Sequence, residues 1–215
     1  MPDPYGNDDE LRVGLEQGDD EALAELFSRH RERLWRMVNF RLDRKLRGRV
    51  DAEDILQEGY LAAAQRIHHY NADTAMSPFV WLRKILKQTL IDVHRRHLEA
   101  EMRDAGREIA IEGHRYPQAT SASLALQLVG HLTSPSQAAA RAELLEKVEQ
   151  VIEGMDHIDR EVLALRHFEE LTNSEVAEVL DIQPKAASVR YVRAVRRLKR
   201  ILSEIPGLFD EDRDG

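Results

Sequence analysis

Seven cations and no acid lie between residues 184 and 202: Lys185, Arg190, Arg193, Arg196, Arg197, Lys199 and Arg200. The apolar residues of the same stretch, Ala187, Tyr191, Ala194, Leu198 and Ile201, step by four and three. A helix would put these on one face and spread the cations around the rest. An acid-free cationic face of that kind suits a polyanion. Its early residues can reach base edges in a major groove, and later arginines can hold phosphates. Lys185 and Arg190 lie off the apolar stripe, so neither is expected to be needed for folding. The plainer alternative is a solvated basic helix docked on a core, but such a surface normally mixes signs. Just upstream, Thr172-Asn173-Ser174-Glu175 has the spacing of a capping box. It opens a short helix carrying Val176, Ala177, Val179 and Leu180, followed by the tight turn Asp181-Ile182-Gln183. Pro184 starts the next helix, and small Ala177 lets the two approach. This is the grammar of a helix-turn-helix.

A second group lies in the first half. Asp54, Gln57, Glu58 and Leu61 share a helix face displaced from the Leu56/Tyr60 stripe. Carboxylates near a helix start also serve its dipole, so on these residues alone a binding face and a dipole effect stand level. Trp81 sits one residue off its own buried stripe, with Arg83, Lys84, Lys87 and Gln88 close behind. The nine histidines include His94 and His97 at i, i+3 and the adjacent pair His68-His69. No nearby carboxylate completes a ligand set, and neighbouring side chains point apart, so no metal is expected. There is no glycine-rich phosphate loop, no G-x-S-x-G and no H-E-x-x-H, so neither an enzyme nor a cofactor is expected.

The 215 residues are 42% apolar and 33% charged, with 6% aromatics and 18 glycines and prolines, which argues against a β-rich or low-complexity chain. The absence of cysteine excludes disulfides, a zinc ribbon and a thiol nucleophile, and suits a reducing cytoplasm. Neither a membrane span nor a secretory signal is expected. The net charge of −8 is segregated. Residues 1–27 hold nine acids against Arg12, whereas residues 29–49 hold nine cations against Glu32 and Asp43. Blocks rather than the total are what a polyanion meets within a Debye length of roughly 8 Å.

Nearly every periodic segment reads as helix. The stripe Leu23, Leu26, Phe27, Leu34, Met37 and Val38 defines one between Asp19 and Leu42. Asp51 can cap the next, whose stripe is Leu56, Tyr60, Ala63, Ile67 and Tyr70. Asn71 to Ser77 reads as a loop. Ser77 and Pro78 open a helix with Phe79, Leu82, Leu86, Leu90 (or Thr89), Val93 and His97 inward. Residues 104–134, with their glycines and Ser/Thr cluster, read as a linker in which Leu124, Leu126, Leu128 and Val129 could pack on something. Helix resumes at Ser134-Pro135 and ends at Gly154, followed by shorter helices over 156–168, 172–180 and 184–202. The expected architecture is all-α: two small helical domains, 1–103 and 135–205, joined by a flexible linker over 104–134. An acidic tail follows at 206–215.

Residues 155–202, MDHIDREVLALRHFEELTNSEVAEVLDIQPKAASVRYVRAVRRLKRIL, resemble the promoter-reading C-terminal domain of bacterial sigma factors. DAEDILQEGYLAAAQRIHHY and SPFVWLRKILKQTLIDVHRR, within residues 51–97, resemble their core-binding and promoter-melting domain. With nothing larger between the two, the chain resembles the extracytoplasmic-function group of the sigma-70 family, over about residues 15–100 and 135–202. The resemblance implies three surfaces. Asp54, Gln57, Glu58 and Leu61 match the helix that grips the coiled-coil clamp of the largest subunit of core RNA polymerase. Asn71 to Ser77, Trp81, Arg83, Lys84, Lys87 and Gln88 match the loop and helix that hold the melted promoter strand. Cations follow the backbone there, and an aromatic or polar side chain receives an unstacked base. Lys185, Ala186, Ser188, Arg190 and Arg193, with Arg197 further along, match the duplex-promoter reader. The resemblance also brings an anti-sigma protein into view as a partner. Departures are Gln88 where Asn is usual, Gln183-Pro184 for a Ser cap, Asp181 for Gly and Ala186 for Thr.

Two other classes compete: a stand-alone helix-turn-helix regulator that never touches polymerase, and an interaction protein that sequesters a partner with its N-terminal helices. A regulator would need a ligand pocket or a receiver-like α/β unit. The first half shows no strand pattern.

Overall fold

The computed structural model describes residues 8–43, 46, 48–70, 76–105, 121–132 and 138–203. The tail from Pro206, positions 71–75 of the loop and positions 106–120 of the linker lie outside the described residues. Among those described, every element is helical, in keeping with the all-α expectation, and the chain divides into two units, Met1–Gln118 and Ala119–Gly215.

The first unit contains α1 (Asp9–Glu16), α2 (Asp20–Arg41), α3 (Ala52–Ala64) and α4 (Pro78–Ala105). The turn from α1 into α2 needs Gly18, whose φ is +73°. A Cβ there would also come within 2.5 Å of His68 Nδ1. Asp19 then caps α2 by accepting from the Glu21 N–H at 2.9 Å. Leu23, Leu26, Leu34, Met37 and Val38 bury the inner face of α2. Asp51 caps α3 through the Glu53 N–H at 3.2 Å. The Ser77 hydroxyl accepts from the Val80 N–H at 3.4 Å, with Pro78 as the first residue of α4. Phe79, Leu82, Leu86, Leu90 and Val93 are buried as the periodicity requires. Helix α3 lies so close to α4 that a Cβ on Gly59 would meet Leu86 Cγ at 2.7 Å. The α3 stripe does not run unbroken to Tyr70. The helix ends at Ala64, and a 3-10 turn over Ile67–His69 keeps Ile67 and Tyr70 inside.

Burial lowers the pKa of His94, on α4, below 6.5; Asp43 partly opposes this and His97 adds to it. The Asp43 backbone N–H donates to its Nε2 at 3.4 Å, a bond that only the unprotonated nitrogen accepts. The folded state therefore binds this proton less readily than the unfolded chain. The contribution of His94 to stability is intact above pH 6.5 and is lost as the pH falls below it, toward the lowered folded value. Denaturation midpoints measured between pH 7.5 and 5 should fall, and His94→Gln should flatten that decline.

The second unit contains α5 (Ser121–Leu132), α6 (Ala138–Glu153), α7 (His157–Leu163), α8 (Asn173–Leu180) and α9 (Pro184–Ser203), with a π turn over Ala164–Phe168. The linker expectation over 104–134 is corrected at both ends. Helix α4 runs through Ala105, and residues 121–132 form α5, which packs on α6 with Leu124, Ala125 and Val129 fully buried. Polar contacts fix its start: the Ser121 hydroxyl bonds the Glu153 carboxylate, and Arg160 Nη1 donates to Ser121 Oγ at 2.9 Å. The expected helix over 156–168 is present, but its last turn widens into the π turn.

Candidate functional site

On α3, Asp54, Gln57, Glu58 and Leu61 are all exposed, and they follow one another at helical spacing on the side away from Ile55 and Leu56. Leu61 is 60% exposed, a large apolar residue left in water one turn beyond two carboxylates. Glu58 accepts two hydrogen bonds from Arg96 of α4, at 2.6 and 2.8 Å. The capping role belongs to Asp51, so neither Asp54 nor Glu58 is needed for it. Sequence reasoning missed Trp35, which is 40% exposed on α2. One turn before it, Arg31 reaches Glu53 at 2.5 Å; one turn after it, Asn39 lines a shallow depression with Asp54. Trp35 therefore borders the start of α3. The signal was available: it falls off the Leu34/Val38 stripe.

On α4, Trp81, Lys84 and Gln88 sit at i, i+3 and i+7 and share an outer face. Lys84 and Gln88 are exposed and Lys87 is half-buried beside them. Gln88 donates to Asp92 at 3.3 Å. Trp81 is half-buried, its ring meeting that of Tyr70 edge-on at 5.2 Å. The Tyr70 hydroxyl donates to the Met76 carbonyl at 3.4 Å, which ties together the two ends of the 71–75 segment. Arg83 does not belong to this face. It is 3% exposed, because two residues on from Trp81 the helix has turned about 200° and places it in line with buried Leu86 and Leu90.

The segment from Thr172 to Ser203 folds as two helices, α8 and α9, joined at Asp181–Gln183. Thr172 and Glu175 form the reciprocal capping box, with bonds of 3.2 and 2.6 Å. Asp181 takes the left-handed conformation at φ +52° and ends α8. Asn173 Nδ2 donates to the Pro184 carbonyl at 2.7 Å, and Ala177, Ala187 and Ala194 are buried where small residues let the helices close. Lys185 and Ser188 are exposed and Ala186 is half-buried.

Three arginines of α9 are used by the fold. Arg193 grips Asp159 of α7 through Nε at 3.0 Å and Nη2 at 2.7 and 2.8 Å. Arg190 Nη1 reaches the same carboxylate at 2.9 Å. The Asp159 side chain is only 7% exposed. Its hydrogen bonds and its charge raise Arg193 above the ordinary arginine value. Arg197 Nη2 donates to the Gly154 carbonyl at 2.7 Å, closing the end of α6. Arg190, off the apolar stripe as expected, thus shares with Arg193 the neutralisation of a buried carboxylate. The outermost stripe of α9 is instead Lys185, Val189, Val192 and Arg196, all exposed.

Among the described residues no group of three or more histidines, cysteines or acids is placed to hold a metal. No helix among them is long and apolar enough to cross a membrane.

Two units whose described elements are all helical, the second carrying the short helix α8, a tight turn and the basic helix α9, define the class. The ECF sigma factor family profile matches residues 11–203. The RNA polymerase sigma factor CarQ of Myxococcus xanthus is 30% identical over 190 residues, covering 87% of this chain and 93% of CarQ. The ECF RNA polymerase sigma factor SigW of Bacillus subtilis is 25% identical over 197 residues, covering 89% and 94%. CnrH, solved in complex with the cytosolic domain of CnrY, is similar in fold, with a TM-score of 0.51 at 21% identity over 92% of this chain and 99% of that one. The chain belongs to the ECF sigma factor family.

Proposed function

We propose that this chain joins core RNA polymerase through the outer face of α3, supports the melted promoter strand along α4 and reads duplex promoter with α9. It would thereby direct transcription initiation from the cytoplasm without a catalytic step of its own. The polymerase carries out the chemistry, and binding energy opens the strands. The observation that carries this reading is the exposed α3 face: Leu61 and the carboxylates stand in water with no part in capping, on a unit separate from the helix-turn-helix. Asp54, Gln57, Glu58 and Leu61 form the polymerase grip, which Trp35 extends as an aromatic anchor. Trp81, Lys84, Lys87 and Gln88 serve the melted strand, with Arg83 supporting them from inside. Lys185, Ala186 and Ser188 lead the duplex reader; Arg190, Arg193 and Arg197 flank it. An anti-sigma protein is proposed as the regulator, in line with the structure of CnrH in complex with the cytosolic domain of CnrY. Co-elution with core polymerase tests the reading. A stand-alone regulator would pass through the column without it.

The free chain should bind duplex DNA weakly and lose that binding steeply with salt. With the charge of Arg190 and Arg193 partly neutralised by Asp159, Lys185, Arg196, Lys199 and Arg200 carry most of the phosphate attraction, which gives a log–log salt slope of roughly −3 to −4. Fluorescence anisotropy on a random-sequence duplex at several salt concentrations measures it. Tight binding with little salt dependence would favour the stand-alone regulator.

A further inference from the structure

The ion cluster between α7 and α9 holds cations that still face solvent. One carboxylate, Asp159, receives hydrogen bonds from two arginines, Arg190 and Arg193, and Asp156 lies 3.6 Å from Arg190. Arg193 remains 58% exposed while making three bonds to Asp159. Those bonds use Nε and Nη2, so the Nη1 donors of its guanidinium stay available. Arg190 commits Nη1 and keeps its other nitrogens. Both arginines are thus fixed along one flank of α9, beside the outward stripe of Lys185, Val189, Val192 and Arg196. A cation held this way can meet a phosphate without having to order a long side chain first. Phosphate contacts set the register in which base edges are read.

We propose that Asp159 is a positioning residue for promoter reading: it fixes Arg190 and Arg193 as a rigid phosphate-register edge and withholds part of their charge from DNA of any sequence. The proposal rests on α9 being the duplex reader. It assigns Asp159 two separable effects. Its charge lowers non-specific affinity, and its geometry raises the ratio of specific to non-specific binding.

Two variants separate them. Asp159→Asn keeps the shape and removes the charge. Asp159→Glu keeps the charge and moves the carboxylate outward by one methylene. The full chain is assembled with core polymerase. Binding to a promoter duplex selected from a genomic library and to a scrambled duplex is measured between 50 and 200 mM salt, alongside run-off transcription and thermal melting. For Asp159→Asn the expected result is tighter scrambled-duplex binding with a salt slope steeper by about one. That is an extra three- to fourfold loss across this salt range. The specific ratio should fall about tenfold. For Asp159→Glu the slope should match the original chain while the ratio falls several-fold. A lowered melting temperature with slope and ratio unchanged in both variants would make Asp159 merely structural and overturn the proposal. Unchanged melting, slope and ratio would overturn it equally. If the unaltered chain gives no promoter-dependent run-off, the duplex-reader assignment itself fails. If it does and both variants match it, only the role of Asp159 fails.

Discussion

Asp54→Lys combined with Glu58→Lys should abolish association with core RNA polymerase, and the run-off product with it, while the chain still melts cooperatively near its original temperature. Both side chains are exposed, one turn apart, and neither caps α3. Exposed substitutions usually change stability by no more than about 0.5 kcal/mol. The Glu58–Arg96 pair adds a second small loss, since surface ion pairs are worth about 0–1 kcal/mol. Against a basic partner surface the same reversal sets like charges together. That costs several kcal/mol of affinity, on the order of a hundredfold or more. Thermal melting and a core-enzyme pull-down, run on one preparation, separate the two effects. Normal melting with normal pull-down would remove these residues from the interface. Loss of both would make them structural.

Arg190→Ala with Arg193→Ala should instead lower the melting temperature of the second unit. The double variant leaves Asp159 as a buried carboxylate without either of its arginines. Leaving the buried Asp159 carboxylate uncompensated costs about 3 kcal/mol, the low end for a buried charge that loses its partners. In a domain of this size that corresponds to a drop in Tm on the order of 10–20 °C. Adding Asp159→Asn to the double variant should restore much of the loss, because the uncompensated charge is then gone. Differential scanning calorimetry of the double and triple variants reads both numbers. A double variant that melts like the original chain would mean that water solvates Asp159 well enough on its own.

The features legible in the sequence are those fixed by neighbouring residues. Asp51 before α3, Ser77-Pro78 before α4, the Thr172/Glu175 box and the left-handed Asp181 each act within one turn of chain, so type and spacing determine them. The inward stripes of α2 and α4 were legible for the same reason. Features set by distant partners were not. Helix α5 exists because Leu124, Ala125 and Val129 find α6, and because Arg160, 39 residues away, reaches Ser121. Its Ser-rich start and Gly130 gave a linker pattern. The Asp159 pairing spans 31 and 34 residues, and nothing in the local sequence links Asp159 to the basic helix. Arg83 was grouped with its charged neighbours by type, whereas its angular position on α4 puts it inside. Trp35 carries no charge, and only its position off the Leu34/Val38 stripe marks it as exposed.

The most direct measurement is run-off transcription with core RNA polymerase, with and without this chain, on a genomic promoter library under physiological salt. Products with defined start sites, present only when the chain is added and lost in the Asp54→Lys/Glu58→Lys variant, are the expected result. A chain that binds duplex DNA by itself under the same conditions, yet yields no product above that of core polymerase alone, would contradict it.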